Sequence, residues 1–191
     1  LLLEQVNWML AFQAIAGWLA GAAEVITRLG DEEFFLFVAP VIYWSINTTV
    51  GLRVGIYLMI SGGLNYAFKL LFAQPRPYWI DPQIFAFRTE SSFGLPSGHA
   101  QHATVFWGAL AVFSRQPALL VLIILIIFLI GVSRVLLGVH FISDVMAGWV
   151  IGAVLLWFLL AVEKPVLHWL KQLTFSKQIL TDFVGSISLL G

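Results

Sequence analysis

Apolar residues fill most of this chain in long stretches, interrupted by short clusters of Pro, Gly and charge. Five stretches approach the ~20 residues that a helix needs to cross a bilayer. They are 33–48, following the acidic Asp31-Glu32-Glu33 cluster, then 51–73, stopped at Pro75, and 98–114, bounded by Pro96 and Pro117. The fourth, 117–136, holds the most apolar run, Leu119-Leu120-Val121-Leu122-Ile123-Ile124, and the fifth, 144–162, ends at Glu163-Lys164-Pro165. Residues 4–28 set Glu4, Gln5, Asn7, Gln13, Glu24 and Arg28 around Trp8 and Trp18, a pattern that suits an amphipathic helix lying at the membrane interface. Residues 165–176, with His168, Trp169 and Lys171, read as a second interfacial piece, and 178–191 as the start of another span.

The predicted fold is therefore all-α: a polytopic membrane helical bundle of about five to six transmembrane helices plus interfacial amphipathic helices. It is expected to form one membrane-embedded domain over 1–191, with an interfacial N-terminal helix (1–32), a helical core (33–162) and an interfacial segment leading into a further span (163–191). A chain that starts at Leu1 and ends at Gly191 inside apolar sequence is expected to be a piece of a longer protein.

Composition agrees with the pattern. Hydrophobic residues make up 60% of 191 and charged residues 10%, against roughly 25% charged in soluble domains. Net charge is zero without a long basic run, which argues against nucleic acid. The absence of Cys excludes disulfides, thiolate metal sites and a thiol nucleophile. If 51–73 runs outward, Arg53, Arg115, Lys164, Lys171 and Lys177 lie on the cytoplasmic side, as the positive-inside rule favours.

That orientation brings three charged strings to the non-cytoplasmic face: Lys69 with Arg76-Pro77; Pro96-Ser97-Gly98-His99; and Ser133-Arg134 with His140 and Asp144. Pro75 and Pro77 should end the helix and hold Arg76 in an extended segment. Its guanidinium can grip phosphate oxygens bidentately, while Lys69 adds a point charge. Ser97 suits a helix cap and Gly98 a close backbone approach, and free amides at a helix start bind anions. His99 follows in the first turn. His102, three residues on, reads as a polar position outside the chemistry. His140 and Asp144 stand at i, i+4, so the carboxylate can hold one imidazole nitrogen and leave the other to attack. Asp144 at the mouth of a span is costly unless paired. The cations would repel a metal ion, so no metal is expected.

Together the strings resemble the signature of the type 2 phosphatidic acid phosphatase (PAP2) superfamily: Lys-x6-Arg-Pro, Pro-Ser-Gly-His, and Ser-Arg-x5-His-x3-Asp. Every position is filled, in order, across residues 69–144. The resemblance implies that His140 is the nucleophile, forming a phosphohistidine, with Asp144 orienting it. It implies that His99 protonates the leaving group and then activates water. Lys69, Arg76, Ser97, the Gly98 amide and Arg134 would hold the phosphoryl oxygens. No cofactor is implied. The expected protein is an integral membrane phosphatase, in a bacterial inner membrane or its equivalent, acting on a lipid phosphate or diphosphate from the non-cytoplasmic face. Its expected partners are a phosphorylated lipid or other phosphomonoester and the bilayer.

Alternatives with the same site are a phosphotransferase and a sugar-phosphate phosphatase. Arg76-Pro77-Tyr78-Trp79 is similar to the glucose-6-phosphatase branch. From another class, a non-catalytic lipid-binding or transport protein would keep the pocket but lose His140, His99 or Asp144, and none is lost. The aromatics of 78–95 would either contact a lipid substrate or form an interfacial belt.

Overall fold

Turn and cap chemistry sets the helix limits in the computed structural model, which describes residues 2–114 and 116–172. The helices are α1 (Leu2–Ala16), α2 (Ala20–Thr27), α3 (Glu32–Val41), α4 (Thr48–Phe72), α5 (Pro77–Ile80), α6 (Gly98–Ser114), α7 (Pro117–Leu136) and α8 (Ile142–Gln172). No strand occurs among the described residues. The Asn47 side chain caps α4 by accepting the Val50 amide at 3.0 Å, and Ala73 closes it in the left-handed conformation, φ 45°, its amide donating to the Lys69 carbonyl. Pro117 opens α7 at the first helical position, where its missing N–H costs nothing. Helices α6 and α7 occupy the predicted ranges.

Elsewhere the structure differs from the sequence reading. The expected single helix over 4–28 is broken into α1 and α2, the segments Leu2–Ala14 and Gly17–Gly30 being bent by 73°. Far from only lying at an interface, α1 buries Val6 and Met9 in a cluster with Ile84, Ala100, Val135 and Phe141. The span expected over 33–48 is α3 followed by one widened π-turn, Ile42–Ile46. Pro40 inside α3 has no amide for the ladder, which favours such a local irregularity. The stop expected at Glu163-Lys164-Pro165 is absent: α8 continues unbroken to Gln172 through the segment read as interfacial. The further span expected over 178–191 lies outside the described residues, as do Arg115 and Lys177.

By length and composition, three described stretches can cross a membrane: Thr48–Ile80, Pro117–Leu136 and Ile142–Gln172, or four if the bent α1–α2 pair counts as one. Helix α6, with 17 residues, is about 25 Å long at 1.5 Å per residue, short of a full hydrocarbon thickness. Helix length alone therefore supports three or four of the five to six spans read from the sequence.

The chain divides into two compact units, residues 1–156 and 157–191. The second is described only as the C-terminal part of α8, where Gln172 and His168 pair at 2.8 Å. The first contains all the residues of the three strings. Within it, Gly148 and Gly152, one turn apart on α8, let that helix lie directly on the start of α6. A Cβ on Gly148 would come within 2.7 Å of the Ser97 carbonyl oxygen, and one on Gly152 within 2.8 Å of that of Gln101. Small residues at this spacing allow helix backbones to touch. The contact brings the second and third strings together: the Ser97 amide donates to the Asp144 carbonyl at 3.0 Å. A buried polar lattice joins α6 to α4. Gln101 donates to Ser61, Asn65 donates to Gln101 at 2.9 Å, and His102 Nδ1 pairs with Ser61 Oγ at 2.8 Å. His102 is thus one of the polar links between α4 and α6.

Candidate active site

Lys69 occupies the last turn of α4, and Arg76 sits three residues beyond the Ala73 cap in extended backbone, as the flanking prolines predict. Both reach the same loop. Lys69 Nζ donates to Ser92 Oγ at 3.2 Å and to the Phe93 carbonyl. Arg76 Nε donates to the Ser92 carbonyl at 2.6 Å. Its Nη1 donates to the Val139 carbonyl at 2.9 Å and lies 3.3 Å from His140 Nε2. Arg134, fully buried at the end of α7, donates from Nη1 to Thr27 Oγ1 at 2.9 Å and from Nη2 to Glu90 Oε1 at 2.6 Å.

His140 is 2% exposed and precedes α8, so its contact with Asp144 is not made within one helical turn, as the spacing suggested. The turn into α8 makes it instead. Asp144 Oδ2 accepts the Phe141 amide at 2.9 Å and stands 3.3 Å from His140 Nδ1, while Oδ1 accepts Gln74 Nε2 at 2.8 Å. With Nδ1 occupied, Nε2 is the nitrogen left beside Arg76. Burial, reinforced by Arg76, Arg134, Lys69 and His99, pushes His140 well below the usual imidazole value of 6.5, so it is neutral at pH 7.

These groups surround a cavity of about 610 Å³ lined by Lys69, Arg76, Gly98, His99, Arg134 and His140, together with Asp31, Glu90 and Asn65. Of the eight side chains and amides named from the sequence, six line it. Asp144 stands behind His140, and Ser97 precedes Gly98. The expected Ser97 cap is not made: Ser97 Oγ, like Arg134 Nε, is buried with no hydrogen-bond partner among the described residues. Buried polar atoms are rarely left so; Arg134 lines the cavity, and Ser97 adjoins its Gly98 wall. Among the described residues, no group of three or more His, Asp or Glu is arranged to hold a metal ion.

The sequence reading missed Asp31, Glu90, Gln74 and Thr27. Asp31 Oδ1 lies 2.7 Å from His99 Nε2 and accepts from Arg88 Nη1 at 3.1 Å. Burial raises the Asp31 carboxyl, but His99 and Arg88 outweigh it and hold the group below the ordinary range. Burial also raises Glu90, and Arg134 and Arg76 likewise bring it below. A glutamate in an aromatic loop between the first and second strings was the available signal for Glu90. The loop aromatics partly brace it: the Tyr78 hydroxyl donates to the Glu90 carbonyl at 3.0 Å and accepts its amide at 2.9 Å.

Comparison with known proteins places this arrangement among the membrane phosphatases. The family model described as the PAP2 superfamily matches residues 50–166. Phosphatidylglycerophosphatase B of Bacillus subtilis is 32% identical over 162 residues, covering 78% of this chain and 77% of that protein. Glucose-6-phosphatase 3 of Bos taurus is 30% identical over 176 residues, but the chain spans only 50% of its length. A crystal structure of a transmembrane PAP2-type phosphatidylglycerolphosphate phosphatase from Bacillus subtilis superposes with a TM-score of 0.71 at 26% identity, covering 84% of this chain and 86% of that one. The chain belongs to the PAP2 superfamily, and within it to the membrane-bound phosphoric monoester hydrolases.

Proposed function

We propose that this protein hydrolyses a lipid phosphate or diphosphate through a phosphohistidine on His140, without a metal ion, at a site on the non-cytoplasmic face. The observation that carries the reading is the pinning of His140 Nδ1 by Asp144, which leaves Nε2 beside the Arg76 guanidinium. Nε2 attacks phosphorus while the bond to the leaving oxygen breaks, and His99 delivers a proton to that oxygen. Water then attacks the phosphohistidine, His99 takes its proton, and the P–N bond breaks to release phosphate. Lys69, Arg76, Arg134, Ser97 and the Gly98 amide neutralise the equatorial oxygens, which is most of what phosphoryl transfer requires. The orphan donors Ser97 Oγ and Arg134 Nε are suited to that task.

Two observations favour a lipid. Relatives include the phosphatidylglycerophosphatase and, at 29% identity, an undecaprenyl-diphosphatase of Sulfolobus acidocaldarius. An apolar groove of about 370 Å³, lined by Phe35, Leu36, Ala39 and Met59, shares Glu32 with the lining of the polar cavity. The test is phosphate release by purified protein in EDTA from phosphatidylglycerophosphate, undecaprenyl diphosphate and glucose 6-phosphate. The lipids should be turned over and His140→Ala should be inert. Activity that survives His140→Ala, or that EDTA removes, refutes the mechanism; preference for glucose 6-phosphate refutes the lipid assignment.

A further inference from the structure

Asp31 occupies the N-cap position of α3 in extended backbone, where an aspartate ordinarily accepts the first free amides of its own helix. It makes no such cap. Its carboxylate turns instead to α6, with Oδ1 2.7 Å from His99 Nε2, and Arg88 Nη1 holds it from behind at 3.1 and 3.4 Å. Forgoing a cap forfeits about 1 kcal/mol, so the alternative contact is a defined structural choice.

The surrounding turn is fastened to the same helix. The Leu29 carbonyl accepts Trp107 Nε1 at 3.1 Å, two turns along α6 from His99. Gly30 is pressed against the imidazole: a Cβ there would come within 3.3 Å of His99 Cδ2 and 2.7 Å of Ile130 Cγ2. Leu29 thus ties this turn to α6, while Gly30 and Asp31 meet the His99 ring from outside its own helix.

We propose that Asp31 is a positioning residue for the acid–base step, holding His99 with its Nε2 proton directed at the carboxylate so that Nδ1 exchanges the proton with the leaving oxygen and then with water. The inference rests on the assignment of His99 as the acid–base group. An ionised carboxylate on one imidazole nitrogen selects the tautomer and stabilises the imidazolium that forms when the other nitrogen takes a proton. The two histidines then carry opposite tautomers. Asp144 on Nδ1 frees Nε2 of His140 to attack phosphorus, and Asp31 on Nε2 frees Nδ1 of His99 to carry the proton.

The experiment compares Asp31→Asn, Asp31→Glu, His99→Ala and His140→Ala in the full chain, using phosphatidic acid and p-nitrophenyl phosphate. Asp31→Asn should lower kcat on phosphatidic acid about 100-fold with little change in KM, as expected for an impaired general acid. Its pre-steady-state release of p-nitrophenol should fall less than tenfold, because that leaving group departs without a proton. Asp31→Glu should recover part of the loss. An equal loss with both substrates marks a structural role and overturns the proposal, as does wild-type kcat in Asp31→Asn alongside inactive His99→Ala and His140→Ala. A fully active His99→Ala overturns the underlying assignment instead. If Asp31→Asn does not fold, Arg88→Gln carries the test. It should move the acid limb of the pH profile upward, since Asp31 loses one of the two groups, after His99, that hold its carboxyl low. The other charged groups facing this pair, Glu90, Arg134, Glu32 and Glu33, are unchanged, and an unmoved limb overturns the proposal.

Discussion

Arg134 Nη2 donates to Glu90 Oε1 over 2.6 Å, so in the free protein a carboxylate from the 81–97 loop neutralises a fully buried cation of the cavity wall. A phosphate held by Arg134, as proposed, must share or displace that acid. Glu90→Gln removes the charge and leaves Arg134 undercompensated. Stability without ligand should fall by about 1–2 kcal/mol; the cost stays below that of a sealed pair because Glu90 is 31% exposed. Inorganic phosphate should then raise the melting temperature more in the variant than in the parent. Equal phosphate-induced shifts, measured by thermal melting in detergent, would contradict a competition between Glu90 and phosphate.

Neutral burial of His140 makes stability depend on pH. Its folded pKa lies well below 6.5, so beneath that value the unfolded chain takes up a proton that the folded site refuses. Stability must fall as pH drops, the loss from this residue growing as pH moves below 6.5. His140→Gln should flatten the melting-temperature profile between about pH 7 and 5.5. A slope identical to that of the parent would show that His140 is already accessible to protons.

Gly138, two residues before the proposed nucleophile, adopts φ +73°. A Cβ there would come within 2.4 Å of the Phe85 carbonyl oxygen and 2.9 Å of Gln13 Nε2. Gly138→Ala adds backbone strain of about 1–3 kcal/mol to this clash. The segment carries the Val139 carbonyl that receives Arg76, so the shift reaches His140 directly. Activity should fall on the order of 100-fold, as an ~1 Å misplacement of a reacting group costs. Retained kcat in a folded Gly138→Ala protein would refute this coupling.

Ala73 closes α4 at φ 45°, ψ 33°, a region unfavourable to any side chain with a Cβ. Ala73→Gly relieves about 1–2 kcal/mol of that cost and gives back about 0.5–1 through the freer unfolded chain. The net gain should appear as a melting temperature about 2–4 °C higher, with kcat unaltered. A lower melting temperature would mean that the Ala73 methyl contributes packing that outweighs the strain.

Legibility in the sequence tracked the range of the interaction. Helices α6 and α7 were readable to the residue because Pro96, Pro117 and the apolar runs act locally. The end of α8 was not, since Pro165 proved compatible with a helix that continues to Gln172. The break in α1–α2 was missed because polar residues at helical spacing were assigned to an interface, whereas Gln13 and Gln5 bond to Phe85 and Ser143 far along the chain.

By itself the sequence determined the membrane as solvent, the all-helical class and the three strings whose residue types suit phosphate. Those properties depend on composition and on spacings of a few residues. Only the tertiary structure decided that Asp31 meets His99 and that Glu90 meets Arg134, contacts spanning 68 and 44 residues. A carboxylate near the start of a span looks the same in sequence whether it caps its own helix or crosses to another. The choice is made by packing, where the glycine contacts of α8 on α6 and the Leu29–Trp107 bond bring distant backbone close enough to compete.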